Sequence, residues 1–241
     1  MRWVRFVHPL RKTPVEGQWK GRSVCADGET FDLSDVRLLA PCVPTKIICV
    51  GRNYADHAKE LGNEVPERPL LFLKPPSAVI GPEDPIVLPA SDVVHYEGEL
   101  AVVIGKRCKD VAAADAAGVI RGYTCLNDVS DRVAQKWETN WVRAKAFDTS
   151  APLGPAVVSP DEAEGPFHVT LRLNGELKQD GRTSDLYFSI PELIETISGV
   201  MTLEPGDVIA TGTPAGVGPL ARGDVVEVEI DGIGVLRNPV Q

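Results

Sequence analysis

The chain has 241 residues, of which 43% are hydrophobic and 24% are charged, a composition typical of a folded globular protein and not of a disordered one. Its formal net charge of −9 argues against sequence-independent nucleic-acid binding, which needs an excess of lysine and arginine. Because no apolar run reaches the length of a membrane span and residues 1–12 lack a secretory-signal pattern, we expect a soluble cytoplasmic protein with no membrane partner.

Residues 1–44 are predicted to form a small β-rich segment ahead of a larger catalytic domain, residues 45–241. Short apolar runs in the first segment are separated by turn signals at residues 16–17 and 27–28. A proline-containing linker follows. The apolar run at residues 46–51 then predicts the first strand of the larger domain.

The middle of the chain is predicted to alternate short helices and strands. Residues 53–61 have helical composition, and Gly62 is placed to end that helix. Seven prolines between residues 66 and 89 restrict this passage to loops and extended chain, since proline is excluded from helix interiors and central strands. The elements predicted next are a strand at 97–105, a helix at 110–118, a strand at 120–128 and a helix at 130–137.

The last third is predicted to contain strands and turns around one helix. Residues 174–175, Asn-Gly between two alternating runs, are the strongest short hairpin signal in the chain. A helix is predicted at 190–200, and strands at 206–212 and 224–236. Many strands with few helices favour a β-dominated α+β roll or distorted barrel with peripheral helices over a parallel α/β fold.

The five cysteines are scattered, and none forms a CxxC pair. Three of them, Cys42, Cys49 and Cys125, lie in apolar stretches that are typical of strands. We therefore expect reduced, buried thiols and a reducing compartment.

Two glutamates precede an apolar run in the sequence HYEGELAVVIG. Residues two apart on a strand share a face, so Glu97 and Glu99 are predicted to project together beside the core. Such a pair must be solvated, paired with cations, protonated or bound to a metal, because neighbouring buried carboxylates repel each other. Asp128 ends the next apolar strand, where it could supply a third oxygen ligand to a hard divalent cation or cap a helix.

Three further segments carry polar groups suited to catalysis. His57 and Glu60 share a helix face, and a carboxylate that orients an imidazole suits a base, although a surface helix gives the same pattern. Lys145 lies among apolar neighbours, where it either stabilises a developing enolate or carboxylate or reaches solvent. Residues 211–218 are rich in glycine and allow a ligand close to the backbone, but they match neither a P-loop nor a dinucleotide fingerprint.

Taken in order, the chain's motifs resemble the fumarylacetoacetate hydrolase family from residue 46 to residue 240. The matching segments are GRNYADHAKE, LFLKPPSAVIGP, YEGELAVVIGK, GYTCLNDVSDR, AKAFDTSAPLGP, LRLNGELKQ and LEPGDVIATGTPAGVGPL. The chain is most similar to the acylpyruvase and oxaloacetate decarboxylase-type members and to the isomerase/decarboxylase members of aromatic-acid catabolism. The resemblance implies a mixed β-roll that usually assembles as a homodimer.

The resemblance also implies a metal centre and a dyad. Glu97, Glu99 and Asp128 correspond to the residues that hold Mg²⁺ or Mn²⁺ in the family. His57 and Glu60 correspond to a dyad that activates water, on a short lid helix that orders when substrate binds.

The resemblance further places Lys145 at the metal site and assigns substrate binding to Arg132, Gln135 and Thr213. One departure from the family is visible. Residues 131–133 read Asp-Arg-Val where members commonly have Ala-Arg-Asp, a change that bears on the orientation of Arg132 and on substrate preference.

These assignments predict an enzyme that binds a small anionic 2-oxo acid and forms its enolate. The retained dyad, His57 with Glu60, favours hydrolysis of a C–C bond in an acylpyruvate-type β-dicarbonyl acid. The same intermediate serves the decarboxylation of oxaloacetate. It also serves an isomerase of the 5-carboxymethyl-2-hydroxymuconate or 2-hydroxyhepta-2,4-diene-1,7-dioate type. A non-catalytic binding protein that kept the fold is the alternative from another class.

Overall fold

The structure, a computed structural model, describes residues 1–9, 13–60, 62, 64 and 66–241. The strands of the first half are β1 (Arg2–Val7), β2 (Val15–Lys20), β3 (Ser23–Ala26), β4 (Glu29–Asp32), β5 (Arg37–Leu39), β6 (Ile47–Gly51), β7 (Leu70–Lys74), β8 (Val79–Ile80), β9 (Val94–Tyr96) and β10 (Gly98–Ile104). Those of the second half are β11 (Ile120–Asn127), β12 (Ser130–Asp131), β13 (Ala151–Val158), β14 (His168–Leu173), β15 (Glu176–Arg182), β16 (Val208–Ala210), β17 (Gly218–Pro219), β18 (Val225–Ile230) and β19 (Gly234–Pro239).

Helices are few and short within the described ranges. The α-helices are α1 (Ala55–Glu60), α2 (Arg132–Trp137), α3 (Val142–Lys145) and α4 (Ile190–Val200). The 3-10 helices are Leu33–Asp35, Pro76–Ala78, Ala113–Val119 and Thr183–Asp185. In the part of the chain that the structure describes, each helix is too short or too polar to cross a membrane.

A twelve-stranded mixed sheet forms the body of the molecule. Its order is β4-β3-β2-β1-β13-β11-β10-β16-β6-β7, with β5 paired to β1 and β8 paired to β13. Two of its pairs, β16 with β6 and β13 with β8, are parallel. Smaller sheets have the orders β12-β9-β17 and β15-β14-β18-β19. This mixed, β-dominated architecture confirms the predicted fold class.

The N-terminal segment joins the main sheet directly, because β1 pairs with β13. The predicted turn at residues 27–28 connects β3 and β4, whereas the predicted turn at residues 16–17 is wrong, since both residues lie inside β2. A Cβ atom at Gly17 would lie 2.6 Å from the Cys25 carbonyl oxygen, so glycine serves close strand packing there. The division of the chain into residues 1–44 and 45–241 stays a prediction.

The predicted helix at 53–61 is shorter in the structure. It begins at Ala55, because the Asn53 side chain hydrogen-bonds the Thr211 carbonyl oxygen at 2.8 Å, which fixes Asn53 outside the helix. The predicted last residue, Leu61, lies outside the described residues.

Two other helix predictions are altered by local structure. The segment predicted at 110–118 forms a 3-10 helix at Ala113–Val119 instead of an α-helix. The helix predicted at 130–137 begins later, because Asp131 ends β12 and its side chain accepts hydrogen bonds from two backbone N–H groups of the first turn. The strands at 46–51 and 120–128, the hairpin at 174–175 and the helix at 190–200 are confirmed.

Alternate residues of the central strand β10 face different cores. Val102 and Ile104 pack against α4. Ala101 and Val103 belong to a second core, built mainly from β6, β11, β13 and β16. Glu99 shares the face of this second pair, so the fold directs its carboxylate to the end of a buried apolar core.

Candidate active site

Three carboxylates meet where β10 begins and β11 ends. The carboxylate oxygens of Glu97, Glu99 and Asp128 lie within 4.8 Å of one another, and all three side chains are buried. Glu97 lies between β9 and β10. Its backbone N–H donates to Asn127 Oδ1 at 2.9 Å, and its carbonyl oxygen accepts the Asp128 N–H at 2.8 Å. The structure thus brings together the three residues predicted from the sequence, and their role as metal ligands stays a prediction.

Lys145, at the end of α3, joins two of these carboxylates. Its Nζ donates to Glu97 Oε2 and to Asp128 Oδ2, each at 2.7 Å. Burial disfavours the ammonium form, but the two neighbouring carboxylates outweigh burial and raise the pKa of Lys145. Lys145 is therefore a buried cation at the site and does not reach solvent.

A second buried lysine, Lys74 at the end of β7, was not singled out from the sequence. Its Nζ lies 2.8 Å from Asp128 Oδ1. It also donates to the carbonyl oxygens of Val129, Lys145 and Ser150 at 3.1, 2.6 and 2.8 Å. The Nζ atom of Lys74 thus contacts both the Asp128 carboxylate and three backbone carbonyl groups around the site.

The three carboxylates differ in their electrostatic surroundings. Burial opposes the ionisation of Glu97, but the cations of Arg132 and Lys145 outweigh it and lower the pKa of that carboxyl. Burial raises the pKa of Glu99 well above 4.5, and the charges of Asp128 and Glu97 add to that rise. Among the described residues, Glu97 and Asp128 form ion pairs but Glu99 does not. The Glu99 carboxylate accepts the backbone N–H of Gly212 at 2.8 Å.

This donor set fits a hard divalent cation. Three convergent carboxylates supply the oxygen ligands that Mg²⁺ and Mn²⁺ take in proteins. Among the described residues, no cationic side chain forms an ion pair with Glu99, so a bound cation would supply the opposite charge that its carboxylate needs.

Arg132 and Gln135 lie on α2 beside the carboxylates. Arg132 Nη2 donates to Glu97 Oε1, and Nη1 donates to Gln135 Oε1 at 2.8 Å. Asp131, which belongs to the stretch that departs from the family pattern, caps α2 through the backbone N–H groups of Val133 and Ala134. Glu97 and Gln135 therefore hold the guanidinium even though the acid that commonly follows the arginine is missing.

Thr213 belongs to a loop that contacts the start of β10. Its hydroxyl donates to the Gly98 carbonyl oxygen at 2.9 Å and accepts from Gln179 Nε2 at 2.7 Å. Gln179, which was not predicted, also accepts the Gly98 N–H at 2.9 Å. Gly212 has a φ of +104°, and a Cβ atom there would lie 2.9 Å from Asn53 Cβ, so only glycine fits.

The predicted dyad is present on α1. His57 Nδ1 lies 3.3 Å from Glu60 Oε2, and Glu60 Oε1 accepts the Gly216 N–H at 3.0 Å. The His57 side chain is buried, whereas a third of the Glu60 side chain is exposed. The histidine therefore faces the interior, and the glutamate links it to the glycine-rich loop.

One cavity of about 440 Å³ joins these groups. Every predicted site residue except Glu60 lines it. The residues that complete the lining are cationic or imidazole side chains and apolar ones, namely Arg52, His95, Lys136, Val50, Phe72, Val93 and Trp141, together with Gly51. Burial, followed by the nearby Arg132 cation, lowers the pKa of His95 to about 4, so this ring is neutral at pH 7.

Sequence comparisons with known proteins match the chain to one family. A profile of the family described as fumarylacetoacetate (FAA) hydrolase C-terminal matches residues 46–241. The mitochondrial oxaloacetate tautomerase FAHD2B of Bos taurus is 46% identical over 256 residues, which covers 98% of this chain and 82% of that protein.

Solved structures share the fold over the whole chain. The 5-carboxymethyl-2-hydroxymuconate delta-isomerase from Mycobacterium smegmatis is 48% identical with a TM-score of 0.91, covering 100% of this chain and 98% of that chain. Maleylpyruvate hydrolase from Sphingobium sp. SYK-6, in complex with manganese (II) ion and pyruvate, is 36% identical with a TM-score of 0.85 and the same coverage.

Proposed function

The chain belongs to the fumarylacetoacetate hydrolase family and is an enzyme, and from that premise we propose that it moves a proton on a small 2-oxo acid, as a tautomerase or isomerase does. The observation that carries this proposal is the buried cluster of Glu97, Glu99, Asp128 and Lys145 in a cavity that also contains His57. The two relatives with 46% and 48% identity are a tautomerase and an isomerase, whereas the hydrolase is 36% identical. We therefore propose proton transfer as the first candidate function and hydrolysis as the second.

We expect Glu97, Glu99 and Asp128 to hold Mg²⁺ or Mn²⁺. When bound, such an ion polarises the 2-oxo carbonyl group and makes the adjacent carbon more acidic. The support is the set of three buried carboxylates and the manganese in the maleylpyruvate hydrolase structure.

His57 is the proposed base. When Nδ1–H donates to Glu60, the lone pair is on Nε2, which can accept a proton from the carbon next to the carbonyl group and return it to another atom. The buried ring lines the cavity, so it can reach a substrate without leaving the protein interior.

Lys145 is proposed to stabilise the negative charge that develops on the substrate oxygen. An ammonium group has three N–H donors, and Glu97 and Asp128 take two of them. The third remains for an enolate oxygen, where a fixed cation in a buried site is most effective.

The dyad also favours a second function, hydrolysis of an acylpyruvate-type substrate. His57 would take a proton from water, and the resulting hydroxide would attack the distal carbonyl carbon. Cleavage of the adjacent C–C bond would then give a carboxylic acid and the enol of pyruvate. Decarboxylation of oxaloacetate would need no attacking water.

The test is to measure enol–keto interconversion of oxaloacetate and pyruvate release from acetylpyruvate and oxaloacetate, each with Mg²⁺, with Mn²⁺ and with a chelator. Interconversion that is metal-dependent and lost in His57→Ala supports the first function. Pyruvate release from acetylpyruvate that is lost in the same variant supports the second. No metal-dependent turnover of either substrate would contradict both.

We also propose a homodimer. Large exposed apolar side chains on neighbouring elements, Leu73 on β7, Trp137 on α2 and Val142 on α3, give a surface that a second copy would cover. Light scattering after size-exclusion chromatography measures the mass directly. A monomer at micromolar concentration would contradict the proposal.

A further inference from the structure

His95 lies in the candidate active site without a role in the chemistry above. It belongs to β9, two residues before Glu97, and lines the same cavity. Ser130 of β12 pairs with it on one side and Pro219 of β17 on the other, so its backbone is fixed in the middle of a three-stranded sheet. Its side chain is therefore presented to the cavity by a rigid element.

The two ring nitrogens of His95 have different surroundings. Nδ1 is buried and has no hydrogen-bond partner in the part of the chain that the structure describes. Since a buried N–H without an acceptor is rarer and less favourable than an unused lone pair, the proton of the neutral ring belongs on Nε2. Nε2 also carries a proton in the charged ring, so it is a donor in either state. Among the described residues it has no acceptor, and it is not buried as Nδ1 is.

The position of His95 relative to the carboxylates suggests its ligand. Two residues of extended chain span about 6–7 Å, so His95 lies one such step from Glu97. Arg132 bonds to Glu97, and its backbone N–H donates to the Val93 carbonyl oxygen at 2.9 Å, which places the start of α2 next to β9. Lys136, one helical turn further, also lines the cavity. One donor and two cations therefore lie at this end of the cavity.

We propose that His95 Nε2 donates a hydrogen bond to the distal carboxylate of the substrate, and that the enzyme therefore prefers short 2-oxo dicarboxylic acids to 2-oxo acids with an uncharged tail. This proposal rests on the proposed function, because it assumes that the 2-oxo acid end of the substrate lies at Glu97, Glu99 and Asp128. It assigns oxaloacetate-like compounds to the site ahead of acetylpyruvate-like ones. His95 is then a residue that determines specificity and contacts substrate.

Malate and lactate test this directly, because malate is lactate with one added carboxylate and both are inert 2-hydroxy acids. Calorimetric titration of the Mn²⁺-loaded protein should show tighter binding of malate. His95→Ala should weaken malate binding by about 10-fold to 100-fold, the value of a hydrogen bond to a charged group, and change lactate binding less than about twofold. His95→Gln, which keeps an N–H donor near the Nε2 position, should restore part of the loss.

Controls separate this proposal from others. Equal losses for malate and lactate in His95→Ala would overturn it, and so would a preference for malate that survives in His95→Ala and disappears in Lys136→Met. If the wild-type protein binds Mn²⁺ and both acids with equal affinity, this proposal fails and the proposed function stands. If the wild-type protein binds neither Mn²⁺ nor Mg²⁺, the proposed function itself fails.

Discussion

Two groups of residues lie at one cavity but are held in different ways. They are the His57–Glu60 pair and the carboxylate–lysine cluster, which consists of Glu97, Glu99, Asp128, Lys74 and Lys145. In the cluster, Lys74 has no exposed surface and contacts four oxygen atoms within 3.1 Å. In the pair, the contact is 3.3 Å and a third of the Glu60 side chain is exposed. Removing a group from the cluster leaves buried charges unpaired, whereas water can replace a group lost from the pair. The cluster should therefore govern folding and metal binding, and the pair should govern only the chemistry.

The largest effect should come from Glu97→Ala, which removes one of three proposed ligands and leaves the Arg132 and Lys145 cations without that carboxylate. We expect loss of Mn²⁺ binding and a fall in turnover of about 10³-fold or more, because a bound metal contributes several kcal/mol of charge stabilisation. Calorimetry and steady-state kinetics measure the two quantities. Glu164→Ala, at an exposed glutamate, is the matched control, and full turnover of the Glu97 variant would refute the metal assignment.

Lys74→Met should destabilise the fold by about 3–5 kcal/mol, because it leaves the buried Asp128 carboxylate without this cation and three carbonyl oxygens without this donor. Urea unfolding of the metal-free protein gives this value. The exposed Lys106 provides the control Lys106→Met, for which a change within about 0.5 kcal/mol is expected. A loss below about 1 kcal/mol in the Lys74 variant would mean that the network of buried contacts contributes little.

The pair is expected to behave differently. His57→Ala should lower turnover by about 10²-fold or more, the usual contribution of a general base, while Mn²⁺ binding and the free energy of unfolding stay close to wild type. Turnover, Mn²⁺ binding and the free energy of unfolding are therefore measured on one preparation of the variant. Loss of metal binding in this variant would show that the two regions are one unit.

The pH dependence of stability sharpens the same comparison. The pKa of Glu99 is raised above 4.5, so in the metal-free protein the folded state keeps a proton that the unfolded chain releases. The free energy of unfolding should then fall as pH rises from about 4.5 through the raised pKa. Glu97, whose pKa is lowered, acts in the opposite direction and only below about 4.5. A pH series of urea unfolding, repeated with Glu99→Gln, should show that this variant lacks the decline.

The sequence predicts the parts of this site that depend on local pattern. Strand periodicity places Glu97 and Glu99 together, and helix spacing places His57 beside Glu60. Local pattern does not predict the role of Lys74, because its partners are 54 to 76 positions away along the chain. A lysine at a strand end also usually reaches solvent.

Two further residues of the site, Gln179 and His95, were missed for different reasons. Gln179 is buried because it bridges Thr213 and Gly98, which a surface-like hairpin sequence does not reveal. His95 lies two residues before Glu97, and side chains two apart in extended chain project to the same face. This spacing could have placed His95 in the site. The wrong turn at residues 16–17 arose because Gly17 serves packing between strands.

The smallest effect is expected from Glu60→Gln. The amide keeps an oxygen that can accept the Gly216 N–H or the Nδ1–H of His57 but loses the charge that favours a basic ring. Turnover should fall about 10-fold, less than in His57→Ala, and the double variant should be no slower than His57→Ala alone, because the two residues act in one step. If Glu60→Gln instead loses as much turnover as His57→Ala and the two losses multiply, the carboxylate is itself the base. The partly exposed Glu60 carboxylate, and not the buried His57 imidazole, would then accept the proton.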